Sequence, residues 1–183
     1  YIPIKKHRHM NLFQDWKRST SVVIHRNYIQ FSFEKETGKK MTEGSLIGVD
    51  VGINHLLAIS TGQLIGSGVK QLINIIKRRK QGSKGYKRAK KTLSYYLHKI
   101  VKDFFRDQEG LRLVVVERLH GLKQGKQKNR GKEFRKTLSN WNYRELLNII
   151  QLRTEETRVS FRTVKPYKTS QQCPSCFHTE REN

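Results

Sequence analysis

The chain has 183 residues, enough for one domain with a small appendage, and its 38 Lys and Arg outnumber 15 Asp and Glu to give a net charge of +23. This excess favours a polyanionic partner, and we expect that partner to be nucleic acid. No apolar run approaches the roughly 20 residues that cross a bilayer, and the first residues lack the apolar stretch of a signal peptide. We therefore expect a cytoplasmic, nucleoid-associated protein without a membrane partner.

Short strands dominate the first third of the chain. Residues 21–33 alternate in polarity and are rich in β-branched and aromatic residues, which predicts a hairpin with its turn near Arg26 and Asn27. Three strands of an antiparallel meander are predicted next, at residues 46–50, 55–60 and 63–66. The first of these is apolar until its last residue, Asp50.

A basic stretch, residues 70–102, contains twelve Lys or Arg and no acid. Its second half predicts a helix, because apolar residues recur at i, i+3, i+4 and i+7 from Leu93 to Phe104. Its first half, interrupted by residues 82–85, predicts a shorter helix and a flexible loop. We expect its cations to contact phosphates without reading sequence: Lys77, Arg78, Arg79, Lys80, Lys84, Lys87, Arg88, Lys90 and Lys91.

Three tyrosines interleave with these cations, namely Tyr86, Tyr95 and Tyr96. Aromatic rings in a basic surface can stack on unpaired bases. The helical spacing places Tyr96 on the apolar face, so we expect it in the core. Tyr86 is the preferred candidate for stacking.

The last third predicts one strand, a loop, a helix and a final strand. Residues 111–117 are almost continuously apolar, as in a parallel strand covered on both faces, and end at Glu117. Residues 123–136 have the low hydrophobicity of a mobile loop, with phosphate contacts expected from Lys123, Lys126, Lys128 and Arg130. Asn142 with Glu145 indicates a helix start, and residues 159–164 predict the last strand.

Asp50 and Glu117 each end a run apolar enough to be a buried strand. Open α/β sheets bind ligands beyond the carboxyl ends of their strands, and Mg²⁺ prefers carboxylate oxygens. In a strongly basic chain, the pair predicts a catalytic Mg²⁺ site facing phosphate. The alternatives are structural: Asp50 caps the bend at Val51 and Gly52, and Glu117 pairs with Arg118 or a neighbouring Lys.

Cys173 and Cys176 are the chain's two cysteines and have the spacing of half a zinc site. Structural zinc almost always has four ligands, so we expect this pair to bind Zn²⁺ weakly or only between chains. A truncated zinc ribbon, inert free thiols and a redox pair remain open. No thioredoxin-like pattern surrounds the cysteines in support of the last.

The chain resembles the TnpB/OrfB family of insertion-sequence proteins, which are related to the type V CRISPR nucleases. Besides the basic helical block, the motifs that carry the resemblance are residues 48–52, 114–119, 139–141 (expected to open a helix) and 169–176. The resemblance implies an α/β fold, a RuvC-type (RNase H-like) mixed sheet with flanking helices, and the start of a zinc ribbon. It divides the chain into an N-terminal hairpin segment (1–44), the RuvC-like domain (45–168, with a basic helical insert at 70–106) and half a zinc ribbon (169–183).

Members of that family are transposon-encoded, RNA-guided DNA endonucleases that depend on Mg²⁺. The resemblance therefore implies DNA and guide RNA as partners, with Asp50 as the first catalytic acid and Glu117 as the second. The family's third acid, an Asp, follows a second cysteine pair, and the sequence ends before either. We therefore expect a truncated fragment with little or no cleavage activity.

Two other functions stay open. One is a non-catalytic remnant that binds guide RNA or DNA, and the other is a basic RNA-associated protein. The paired strand-end acids argue against the last, because a pure binder gains nothing from carboxylates near phosphate. Titration with Mg²⁺ separates a nuclease site from a pure binder.

Overall fold

The structure is a computed structural model that describes Lys5 and residues 7–119 and 131–165. It divides into two compact units, Tyr1–Gly38 and Lys39–Asn183. The predicted boundaries of the hairpin segment, the RuvC-like domain and the ribbon half stay predictions. Across the described residues, no helix combines the length and apolar character that a bilayer crossing requires.

The first unit is a two-stranded antiparallel hairpin preceded by a 3₁₀ helix, Arg8–Phe13. Strand β1 (Lys17–Ile24) pairs with β2 (Ile29–Glu34), and the His25 amide donates to the Tyr28 carbonyl at 2.9 Å to close the turn. The predicted hairpin is confirmed, and its first strand begins earlier than the sequence pattern indicated.

The second unit is a five-stranded mixed sheet with helices, which confirms the predicted mixed α/β fold. Its elements are β3 (Ser45–Val51), β4 (Leu57–Ile59), β5 (Leu64–Ile65), α1 (Val69–Lys77), α2 (Lys84–Asp107), β6 (Leu111–Glu117), α3 (Lys132–Asn140), α4 (Tyr143–Glu156) and β7 (Ser160–Val164). The strand order is β5-β4-β3-β6-β7. The first three strands form the predicted antiparallel meander, and β3, β6 and β7 run parallel.

The register of the strands decides which side chains face the helices. Val49 pairs with Ile59 on one side and with Val116 on the other, and all three are buried in one core with α1, α2 and α4. Since side chains alternate along a strand, the next residues, Asp50 and Glu117, face the opposite side of the sheet.

The shorter helix predicted in the first half of the basic stretch is confirmed as α1, but two loop predictions extend too far. Helix α2 already begins at Lys84, because the Ser83 hydroxyl accepts a hydrogen bond from the Tyr86 amide at 3.1 Å and caps the helix. Residues 132–136, predicted as part of a mobile loop, form the start of α3, which buries Leu138.

The predicted helix start at residues 139–141 was also wrong. Ser139 and Asn140 end α3, and Trp141 is its C-cap. Helix α4 starts at Tyr143, next to the predicted Asn142. The expected α4 core residues, Leu146, Ile149 and Ile150, are buried.

Candidate functional site

Asp50 and Glu117 end neighbouring parallel strands at the same edge of the sheet. Val49 pairs with Val116, so the next position on each strand carries one of the two acids. Asp50 lies beside Ala58 of β4, and Glu117 lies beside Val164 of β7. The structure therefore brings the two predicted site acids together on the sheet face opposite the helices.

Local electrostatics distinguish Asp50 from an ordinary surface acid. The residue is exposed overall, yet partial burial of its carboxyl group raises its pKa above the usual 3.8. A hydrogen bond from the Val51 amide lowers the pKa, and the negative charge of Glu117 raises it again. Because the charge on Glu117 opposes ionisation of Asp50, a cation bound between the two carboxylates would stabilise both.

Asp50→Asn is expected to raise the melting temperature at pH 7, and this gain should shrink as the pH falls toward 3.8. The raised pKa means that the folded state binds the proton more tightly than the unfolded chain. Ionisation above the unfolded-state pKa therefore lowers stability, and Asn removes that cost. The check is thermal unfolding in EDTA across this pH range, which compares the melting temperatures of Asp50→Asn, the unmodified chain and the exposed control Asp107→Asn. A lower melting temperature for Asp50→Asn at pH 7 contradicts the prediction.

Two hydrogen bonds hold the chain that follows Glu117. The Arg118 amide donates to the Val164 carbonyl at 2.7 Å, which extends the pairing of β6 with β7. One residue further on, the Leu119 amide donates to the Tyr143 hydroxyl at 2.7 Å. Burial raises the pKa of Tyr143, while the Leu119 hydrogen bond and Arg118 lower it. Sequence reasoning missed Tyr143, although it is the first residue of the predicted helix.

The donor set of the pair fits a hard divalent cation, because both side chains supply carboxylate oxygens from fixed strand ends. Within residues 7–119 and 131–165, no cluster of three or more His, Cys, Asp or Glu with metal-site geometry is present. Cys173 and Cys176 lie outside the described residues.

Most of the predicted phosphate-contacting side chains on α1, α2 and the turn between them are exposed. Exposed residues are Arg78, Arg79, Lys80, Lys84, Lys87, Arg88 and Lys91, and Lys90 is half-buried. Lys77 differs, since its side chain is only 16% exposed and its Nζ lies 2.9 Å from Glu133 of α3. That ion pair joins α1 to α3 and makes Lys77 a poorer phosphate ligand than predicted. Lys123, Lys126, Lys128 and Arg130 lie outside the described residues.

The three tyrosines of α2 lie in different environments, and only Tyr86 contradicts the prediction made for it. Tyr86 packs against the core, and its hydroxyl donates to Asn140 Oδ1 at 3.2 Å, so the preference for Tyr86 as the stacking residue is wrong. Tyr96 packs in the core as predicted, with its hydroxyl accepting from the Gly68 amide at 3.1 Å. Tyr95 is the exposed one, at 63%.

Comparisons with known proteins bear on the fold. No family model matches the chain, and no curated protein matches it. The solved structure of Cas12f1 in complex with sgRNA and target DNA matches with a TM-score of 0.51 and 19% sequence identity, covering 84% of this chain and 35% of that one. The chain thus spans about a third of the Cas12f1 chain. The likeness establishes a mixed α/β fold like part of that protein.

Proposed function

We propose that the Lys39–Asn183 unit is the core of a RuvC-like, Mg²⁺-dependent nuclease of the TnpB/OrfB kind that acts on DNA with a guide RNA. The observation that carries this proposal is the placement of Asp50 and Glu117 at adjacent ends of parallel strands β3 and β6. Open sheets present ligands at this edge, and the two acids lie on the face away from the helices.

Each carboxylate has a defined part in this proposal. Asp50 and Glu117 hold the cation, and the hydrogen bonds at Arg118 and Leu119 fix the chain that follows Glu117. Mg²⁺, when bound, supplies activation of water and stabilisation of the leaving oxygen in phosphodiester cleavage. The exposed cations of α2 and of the turn before it hold the polyanion by its phosphates, with an affinity that falls steeply as salt rises.

The likeness to Cas12f1 supports the proposal at the level of fold. That structure is described as a complex with sgRNA and target DNA, and we extend nucleic-acid partners of both kinds to this chain. A transposon origin belongs to the same proposal through the family resemblance. So does a Zn²⁺ half-site formed by Cys173 and Cys176.

Divalent cation binding tests the proposal directly. Titration of the full chain with Mn²⁺, followed by electron paramagnetic resonance, is expected to detect a site that Mg²⁺ displaces. Asp50→Asn and Glu117→Gln should each abolish it, because each removes one of the two anionic ligands. Asp107→Asn makes the same chemical change on α2 and should leave the site intact. Equal Mn²⁺ binding by Asp50→Asn and the unmodified chain refutes the metal site.

A non-catalytic nucleic-acid-binding module is the second candidate. One observation favours it: the exposed cations of α2 lie on the helical side of the sheet, whereas the two acids face the other side. Nucleic-acid binding that is indifferent to Mg²⁺, together with no Mn²⁺ site, supports this candidate over the first.

A further inference from the structure

Helix α2 presents two sharply different faces. Leu93, Leu97 and Val101 are fully or almost fully buried against the sheet and the other helices. The opposite face carries six exposed side chains, which we call the α2 stripe: Lys84, Arg88, Lys91, Tyr95, Lys99 and Lys102. Their offsets of 0, 4, 7, 11, 15 and 18 residues keep them on one side of a helix with 3.6 residues per turn. The stripe extends for about 27 Å at 1.5 Å per residue.

The charge of the α2 stripe is uncompensated along its length. Residues 84–102 contain no Asp or Glu, and none of the five cations of the stripe forms an ion pair within the described parts of the chain. The nearest acid in sequence, Asp103, pairs with Arg106 at 2.9 Å. Five like charges on one helix face repel one another, so a bound polyanion relieves that repulsion.

Tyr95 is the one aromatic side chain within the stripe. Its ring is 63% exposed, whereas Tyr86 and Tyr96 on the same helix pack against the core with hydrogen-bonded hydroxyls. Lys91 Nζ lies 5.5 Å from the Tyr95 ring centroid, within the range of a cation–π contact. Because 63% of Tyr95 is exposed, its ring keeps surface on which a flat partner can stack.

The stripe is separate from the acid pair. The helices cover the sheet face that carries Val49 and Val116, and Asp50 and Glu117 face the other way. The stripe lies on the side of α2 away from the core, so a strand bound along it is held apart from a phosphate at the acids.

We propose that the α2 stripe binds an unpaired nucleic-acid strand, with one base stacked on Tyr95 and neighbouring phosphates paired with the cations on either side. This inference rests on the proposed function for the chemistry of its ligand. A duplex keeps its bases stacked on one another, so the exposed ring adds affinity only for a strand with a free base face. Phosphates and base faces are common to RNA and DNA, so both should bind with similar affinity.

Fluorescence anisotropy with the full chain tests the inference, using a 12-nucleotide single strand and its duplex. Tyr95→Ala is expected to weaken single-strand binding about 5- to 150-fold, the equivalent of one stacked base, with duplex binding unchanged. Tyr95→Phe keeps the ring and should keep the affinity. Lys91→Gln should lower the slope of log affinity against log salt by about 0.7 for a single strand, and Tyr95→Ala should leave that slope unchanged.

A strand with 2-aminopurine at successive positions adds a direct readout, since stacking on Tyr95 quenches its fluorescence in the unmodified chain and not in Tyr95→Ala. Equal losses for single strand and duplex, or a Tyr95→Phe variant as weak as Tyr95→Ala, overturn the stacking role. If the chain binds single strands in a salt-dependent way and Tyr95→Ala leaves the affinity unchanged, this inference is refuted and the proposed function is not. A chain that binds no nucleic acid refutes the proposed function as well.

Discussion

Replacing both site acids together, as Asp50→Asn with Glu117→Gln, is expected to tighten DNA binding about tenfold without Mg²⁺ and to abolish the response to Mg²⁺. In the unmodified chain, the two carboxylates at the sheet edge repel any DNA phosphate that approaches them. A Mg²⁺ ion held by Asp50 and Glu117 would offset that repulsion, because it would cancel part of the negative charge of the two carboxylates. The unmodified chain should therefore bind DNA more tightly when Mg²⁺ is added at constant ionic strength, and the double variant should not.

Charge alone also predicts some tightening, so the control must change net charge equally. Asp107→Asn with Glu155→Gln removes two exposed acids from α2 and α4. This control should bind DNA slightly more tightly at every Mg²⁺ concentration while keeping the response to the ion. The two double variants thus differ in the Mg²⁺ response and not in total charge. If both respond to Mg²⁺ alike, the acid pair has no part in binding the cation and the nuclease proposal fails.

The placement of the two acids could be predicted because their strands are strongly patterned. Residues 111–117 are almost continuously apolar, as is typical of a strand between two parallel neighbours, and β6 indeed lies between β3 and β7. A carboxylate at the end of such a strand costs free energy unless it has a partner, so its position marks each acid as a candidate ligand. The pairing of Val49 with Val116 sets the acids side by side. It joins residues far apart in the sequence, so no local sequence pattern predicts it.

The core position of Tyr86 has a signal in the sequence. Tyr86 lies seven residues before Leu93, two helical turns away on the same face, which indicates the core. The glycines at 82 and 85 make that segment resemble a loop, although Ser83 is a favourable N-cap residue and marks the helix start. With α2 begun at Lys84, the apolar period includes Tyr86 and leaves Tyr95 on the opposite, exposed face.

The ion pair of Lys77 could not be predicted from the sequence. Its environment depends on Glu133, which lies in α3 more than fifty residues later. Residues 132–136 are so polar that they resemble a loop, and the helix is stabilised by burying Leu138 and by packing against α1. The ion pair between α1 and α3 follows from tertiary packing and has no local signal.

Gly44→Ala is expected to destabilise the fold by about 3 kcal/mol or more, combining backbone strain with a backbone clash. Gly44 has φ +123°, and a Cβ there would lie 2.2 Å from the Gly110 carbonyl oxygen. That same oxygen accepts a hydrogen bond from the Ser45 amide at 2.9 Å, at the point where β3 begins beside β6. The added Cβ is fixed to the backbone of residue 44, and the oxygen belongs to the backbone of Gly110. Relief of the clash therefore requires the start of β3 to move away from β6.

Gly62→Ala is the matched control, since Gly62 also has positive φ (+89°) but a Cβ there meets nothing within 4 Å. Its cost should be about 1 kcal/mol from backbone strain alone, and the difference between the two variants in urea unfolding measures the clash. Displacement of β3 also shifts the register that sets Asp50 beside Glu117. Folded Gly44→Ala should therefore bind Mn²⁺ more weakly than folded Gly62→Ala. Equal stabilities and equal Mn²⁺ affinities would mean that the Gly44–Gly110 contact does not set the geometry of the acid pair.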